Sequence, residues 1–248
     1  MDFSKNLEFY KRGLKLLNKN IDLYIVAAVT VLITSSLSLM GNGLFALISI
    51  PISLISFSYI LSIPFFLRKR EESKINYEFI FYTSLTNLKR LILPFIGLFL
   101  LVVAILIMGA VTVVIVFKPG AEDFRQFFSN FADGRFVFHP LMIIAGLIVT
   151  TFMSMFIFQS IYFSLEKTGV IRSFIKSFQF SLKHFKFIIP AILITYLLSQ
   201  TFYIIRFFFS TLSIQLSSIM ISLISEYTGL VITCAAYLYY RSHKGEIK

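Results

Sequence analysis

Glu226 is the one carboxylate of this chain that falls well inside a long apolar stretch, and Arg206 stands toward the end of the stretch before it. An ionised side chain is expensive at such a depth unless it is protonated or paired. Two chemistries suit it: an ion pair that fixes two helices, or a carboxylate that relays a proton or cation along a transport path. At 100° per residue, Ser218, Ser222, Ser225, Gly229, Thr233 and Ala236 gather around Glu226 within about 80° of one helical face. Thr195, Ser199, Tyr203 and Arg206 form a comparable stripe on the preceding stretch. Small and polar seams of this kind suit close helix packing and interhelical hydrogen bonds. The two seams are expected to face each other, with Arg206 reaching inward to Glu226. A neutral, hydrogen-bonded Glu226 without Arg206 is the remaining arrangement.

Little else could do chemistry. His139, His184 and His243 are scattered, and metal sites need clustered His, Cys, Asp or Glu. The chain has no HExxH, CxxC, P-loop or G-x-S-x-G pattern. An intramembrane hydrolase would need a nucleophile with its base, or paired acids, inside the bundle. No catalytic residue, metal or cofactor is therefore expected. Asp22 and Glu166 fall at the ends of apolar stretches, where they read as interface or capping groups. Cys234, the single cysteine, sits in the last apolar stretch and reads as a small packing residue.

Charge is the stronger signal. Only 14% of the residues are charged and 57% are hydrophobic, against about 25% charged in a soluble domain, so most of the chain must face lipid or other buried helices. The net charge is +11, and 19 of the 23 Lys and Arg lie in segments that alternate to one side of the apolar stretches. Positive charge is retained on the cytoplasmic side of a membrane, which puts both termini there. A nucleic-acid partner would require a soluble basic domain with stacking or base-reading groups, and none is present.

The elements that carry these charges are three basic amphipathic stretches, Phe3–Lys19, Asn76–Arg90 and Ile171–Lys186. In the first, Phe3, Leu7, Tyr10, Leu14 and Leu17 form a helical stripe beside Lys11, Arg12, Lys15 and Lys19. In the second, Tyr77, Ile80, Phe81, Leu85 and Leu88 precede Lys89 and Arg90, and Arg68, Lys69 and Arg70 lie just upstream. In the third, Ile171, Phe174, Ile175, Phe178, Leu182 and Phe185 oppose Arg172, Lys176, Lys183 and Lys186. Helices of this type lie in the membrane interface, and each basic side chain contributes about 1 kcal/mol of attraction to an anionic leaflet. All of these cations are expected to contact lipid.

Each stretch runs into apolar segments, and spanning takes roughly 20 apolar residues. Six spans are read: Ile21–Met40, Leu44–Leu67, Leu91–Phe117, Pro140–Leu165, Phe187–Phe209 and Ser217–Tyr240. The first is preceded by a polar segment and is not expected to be a cleaved signal. The connection Lys118–His139 opens with Pro119 and the acids Glu122 and Asp123, and Phe124, Phe127, Phe128 and Phe131 recur on one helical face. A short helix is expected there, either in the lipid boundary or as a lid on the bundle. The whole chain, 1–248, reads as one membrane domain made of units 1–68, 69–165 and 166–248. Asn87-Leu88-Lys89-Arg90 before Pro94 matches Ser181-Leu182-Lys183-His184 before Pro190, and Leu17-Asn18-Lys19-Asn20 holds the same place in the first unit. Units with an even number of spans keep one orientation.

The run Ser173-Phe174-Ile175-Lys176-Ser177-Phe178 through Leu182-Lys183-His184-Phe185, with the ending Ala235-Ala236-Tyr237-Leu238-Tyr239-Tyr240-Arg241, resembles a broad bacterial family of six-span membrane proteins. That family includes the membrane domain fused to some glycerophosphodiester phosphodiesterases. The resemblance implies a protein of the bacterial cytoplasmic membrane near lipid or envelope metabolism. The phosphodiesterase catalytic domain is absent from this chain, so that activity does not come with it. The sequence therefore leads to an all-α, polytopic bundle of six helices in three hairpins, with amphipathic helices on its cytoplasmic face. Its expected role is that of a non-enzymatic scaffold or lipid-associated accessory protein. The expected partners are anionic membrane lipids, with a second protein or a second copy as the alternative. The rival role is a small transporter or channel subunit that uses Glu226.

Overall fold

The computed structural model describes residues 3–39, 43–72, 75–92, 140–208 and 211–246, with side chains at 4–37, 48, 50–72, 75–92, 146–201 and 219–246. Every regular element among them is helical. In chain order these are α1 (Phe3–Lys19), α2 (Ile21–Leu39), α3 (Gly43–Glu72), α4 (residues 77–92), α5 (Pro140–Ser154), α6 (Gln159–Ser164), α7 (Val170–Lys183), α8 (Phe185–Phe208) and α9 (Thr211–His243). Three stretches, Ile50–Glu72, Gly146–Ser164 and Ile219–His243, are long and apolar enough to cross a membrane. Two bent pairs, Ser4–Lys19 with Ile21–Leu37 and Val170–Lys183 with Phe185–Thr201, raise the number to five if each is one span. The third expected span beyond residue 92, and the loop helix with its four phenylalanines, lie outside the described residues. Ile25, Val29 and Leu32 on α2, Ile148, Val149 and Met153 on α5, and Leu193 and Leu197 on α8 are all exposed. Such an apolar exterior is what a lipid environment requires and water does not favour.

The bends fall where the sequence changes from amphipathic to apolar. α1 meets α2 at 81° and α7 meets α8 at 104°. Asn20 makes the first corner: its side-chain amide donates to Leu16 O at 2.8 Å, and its carbonyl accepts from Arg70 Nη1 at 3.0 Å. The first contact satisfies a carbonyl that the end of α1 would otherwise leave open. Arg70 also pairs with Asp22 in the first turn of α2, where the helix dipole favours a negative charge. His184 makes the second corner, with its Nδ1 at 3.0 Å from the Tyr239 hydroxyl. Asn20 and His184 hold the same place in the sequence alignment of the basic stretches.

Two of the basic helices, α4 and α7, rest on the apolar segment that precedes them, through small or polar side chains. α4 rests on α3, where the Ser58 hydroxyl donates to Ser84 O at 2.6 Å and Asn87 Nδ2 donates to Ser62 Oγ at 2.8 Å. α7 presents Ser173, Ser177 and Ser181, all fully buried. α1 rests instead on α9. A Cβ on Gly13 would lie 2.7 Å from Ala235 N and 2.9 Å from Val231 O, so only glycine permits α1 to approach α9 this closely. The two ends of the chain are thereby packed together.

The fourth expected span is not one straight helix. It breaks over residues 155–158 between α5 and α6, which frees carbonyls from the helical ladder. Met155 O is taken up by two hydroxyls, from Ser177 at 3.0 Å and from Ser181 at 2.7 Å. The break places Phe158 against the aromatic centre of the bundle. There Phe187 stacks on Tyr239, with ring centroids 4.0 Å apart, and on Tyr10 at 5.1 Å. The Tyr10 hydroxyl donates to Phe187 O at 2.7 Å, which ties α1 to the start of α8.

Candidate anion-binding pocket

Glu166 follows α6 in the turn that leads to α7. Its N–H reaches Ile161 O at 3.3 Å, and Thr168 closes on Tyr162 O through both its N–H and its hydroxyl. Lys167 takes φ +51°, the left-handed conformation that usually falls to glycine after a helix. For a lysine that conformation is strained. The turn aims the Glu166 carboxylate at the end of α9.

Three groups converge on that carboxylate from different parts of the chain. Lys176 Nζ of α7 lies 2.8 Å from Oε2, and Lys244 Nζ, just past α9, lies 2.9 Å from Oε1. The Tyr240 hydroxyl also donates to Oε1. Partial burial opposes ionisation of this carboxyl, yet the hydrogen bonds from Lys176, Tyr240 and Lys244 outweigh it and hold its pKa at about 2. Both lysines are further placed by rings: Lys176 Nζ lies 5.5 Å from the centre of Tyr162, and Lys244 Nζ lies 5.0 Å from that of Tyr240.

Together these side chains line an open cavity of about 300 Å³ with Gln179, Phe180, Lys183 and His243. Its lining carries three lysines against one carboxylate, so two positive charges remain after Glu166 is counted. Lys183 is exposed at this cavity, and His243 Nδ1 lies 3.0 Å from Tyr239 O. The neighbouring His184 lies 4.6 Å from the His243 ring; burial first, then His243 and Lys183, lower its pKa. The lining offers ammonium and amide donors in an aromatic frame, which is the chemistry that receives an oxyanion. Among the described residues, no three His, Cys, Asp or Glu are grouped to hold a metal.

α7 shows how the pocket relates to its surroundings. At 100° per residue its side chains fall into three sectors, each roughly a third of the circumference. Ser173, Ser177 and Ser181 face the protein and are fully buried, while Ile171, Ile175 and Leu182 are 70%, 53% and 53% exposed. Arg172, Lys176, Gln179 and Lys183 occupy the sector between them. The apolar stripe read from the sequence is therefore divided: Phe174 and Phe178 pack against Phe156, with ring centroids 5.0 and 6.2 Å away, and Ile171, Ile175 and Leu182 are left uncovered. In α1 the stripe is divided as well: Tyr10 and Leu17 are buried beside Asn6 and Gly13, whereas Leu7 and Leu14 are 38% and 40% exposed.

The other cations expected at the interface divide into two groups. Lys11, Lys15, Lys19, Arg68, Lys89, Arg172 and Lys186 are exposed. Arg12 pairs with Glu8, Lys69 with Glu72 and Arg70 with Asp22. Arg90 donates to Thr168 O at 3.1 Å and lies 4.5 Å from the centre of the Phe163 ring. Arg70 and Lys176 thus hold the bundle together as well as contributing charge. Asp22 and Glu166, read as end groups, are the acids that engage them.

Glu226 is half-buried on α9, with no ion-pair partner among the described residues. The Arg206 side chain lies outside the described residues. Ser225 and Gly229, placed in the packing seam by the sequence, are exposed, and a Cβ on Gly229 would meet nothing within 4 Å. Ala236 of that seam is fully buried, and α9 is approached closely by Gly13 at Val231 and Ala235. Nothing in the local spacing groups Gln179, Tyr240, His243 and Lys244. The only hint was Glu166, an acid standing alone at the head of a basic segment. Comparison of the chain with protein-family models, curated proteins and solved structures gives no match, so the family resemblance rests on the residues that carry it.

Proposed function

We propose that this chain is an integral protein of the bacterial cytoplasmic membrane that acts without catalysis, as a scaffold or accessory protein holding anionic lipid at its basic face. One observation carries the reading: α7 turns its serines into the protein and leaves Ile171, Ile175 and Leu182 uncovered beside a row of cations. A helix set at 104° to the apolar helix that follows it suits a position in the plane of the interface, with the apolar sector in acyl chains and the cations at headgroup level. α1 repeats the arrangement with Leu7 and Leu14. Six spans, with both termini on the cytoplasmic side, follow if the apolar segment beyond residue 92 crosses as well. Pairing of Arg206 with Glu226 remains part of this reading as a support of the last hairpin.

The test is native mass spectrometry of the purified chain in detergent, supplied with equal amounts of phosphatidylglycerol and phosphatidylcholine. Preferential retention of phosphatidylglycerol is expected, and it should fall when exposed Lys11, Lys15, Arg172 and Lys186 are changed to glutamine. Equal retention of the two lipids by the unaltered protein would refute the proposal.

A further inference from the structure

We infer that the cavity between α7, the turn at residues 165–169 and the end of α9 is a discrete site for the phosphate of a single anionic phospholipid. This rests on the reading above and narrows it from a charged face to one pocket. The ligand class follows from the donors. Lys176 and Lys244 each spend one N–H on Glu166, and an ammonium has three to give. Lys183 and the Gln179 amide add donors at the same cavity. A phosphate can therefore be received without displacing Glu166, and the two surplus positive charges match a phosphodiester with an anionic headgroup.

The site is also built in advance. Tyr162 and Tyr240 flank the two paired lysines, and their rings meet edge to face with centroids 5.5 Å apart. Glu166 fixes both ammonium groups without neutralising the cavity, so little side-chain freedom is left to lose on binding. A volume of about 300 Å³ is at the lower end of ligand pockets and suits a headgroup phosphate rather than a large solute. The lipid source follows from α7, whose uncovered Ile175 and Leu182 adjoin the sector of Lys176, Gln179 and Lys183. One lipid molecule can lay its chains along the first sector and its phosphate in the second; free phosphate or glycerol phosphate uses only the second.

The test compares Lys183→Gln with Lys186→Gln by native mass spectrometry of the full chain with phosphatidylglycerol. Both changes remove one exposed charge at the same end of the molecule, but only Lys183 lines the cavity. Lys183→Gln is expected to lower the population carrying one retained lipid about fivefold, and Lys186→Gln to leave it within about twofold. Equal losses in the two variants would overturn the pocket while leaving the basic-face reading intact. No preference for phosphatidylglycerol in the unaltered protein would remove both. Glycerol 3-phosphate added in excess is expected not to displace the lipid; displacement would assign the cavity to a soluble phosphate and overturn the lipid site.

Discussion

Glu166→Gln takes one negative charge from the meeting point of Lys176, Lys244 and Tyr240 while keeping the size of the side chain. The carboxyl is held at about 2 against an ordinary 4.5. At roughly 1.4 kcal/mol per pH unit, that difference sets an upper bound of ~3.5 kcal/mol on its contribution to stability. The lysines are 35% and 50% exposed, and screening by water lowers the figure to about 1–2 kcal/mol. In a chain of 248 residues, that corresponds to a fall of about 2–6 °C in the unfolding midpoint. A carboxyl depressed in the folded state contributes fully above its unfolded value of 4.5 and loses the contribution as pH falls toward about 2. Thermal unfolding in detergent should therefore separate the two proteins at about pH 7, and by about pH 3 less than half of the gap should remain. Lipid retention should move the other way: the surplus charge of the pocket rises by one, which outweighs the looser placement of Lys176 and Lys244, and retention of phosphatidylglycerol grows by up to about fivefold. A gap of equal size at both pH values would refute the assigned pairing. A loss of lipid together with stability would refute the role of Glu166 as an internal counter-charge.

Two further substitutions test the packing that positions the site. Gly13→Ala places a Cβ against the backbone of Val231 and Ala235 and should cost about 1–3 kcal/mol in denaturant unfolding. Gly229→Ala on the open side of α9 should instead add about 0.5–1 kcal/mol. Ser177→Ala or Ser181→Ala alone leaves Met155 O with one donor and should cost about 0.5–1.5 kcal/mol, whereas the double variant orphans the carbonyl and should exceed the sum of the two.

Much of the architecture is legible along the chain because it is written in periodicity and charge. The amphipathic stretches and the apolar helices depend on residues within a few turns of each other, whereas the corners at Asn20 and His184 also draw on Arg70 and Tyr239, far along the chain. The orientation of the amphipathic helices was less legible. Apolar stripes such as Ile171, Ile175 and Leu182 could meet either protein or lipid, and hydropathy cannot distinguish the two when both are apolar. The choice fell to Ser173, Ser177 and Ser181, whose small side chains let the helix approach the bundle and whose hydroxyls can meet an open carbonyl. Two of them have one to meet only because the preceding helix breaks at Met155, and that break has no proline or glycine to announce it.

The sequence by itself determined the helical class and the alternation of basic and apolar segments, since each is a sum over local composition. Tertiary structure decided which cations remain available. Lys176 and Lys183 look alike on paper, seven residues apart on one helical face, yet the first is engaged by Glu166 and the second is exposed. It also decided that α1 packs on α9, and that residues 166, 176–183 and 240–244 enclose one cavity. Those outcomes depend on distances between segments far apart in the chain, set by the close approach at Gly13 and by the aromatic stack of Tyr10, Phe187 and Tyr239. Local spacing carries no record of such distances.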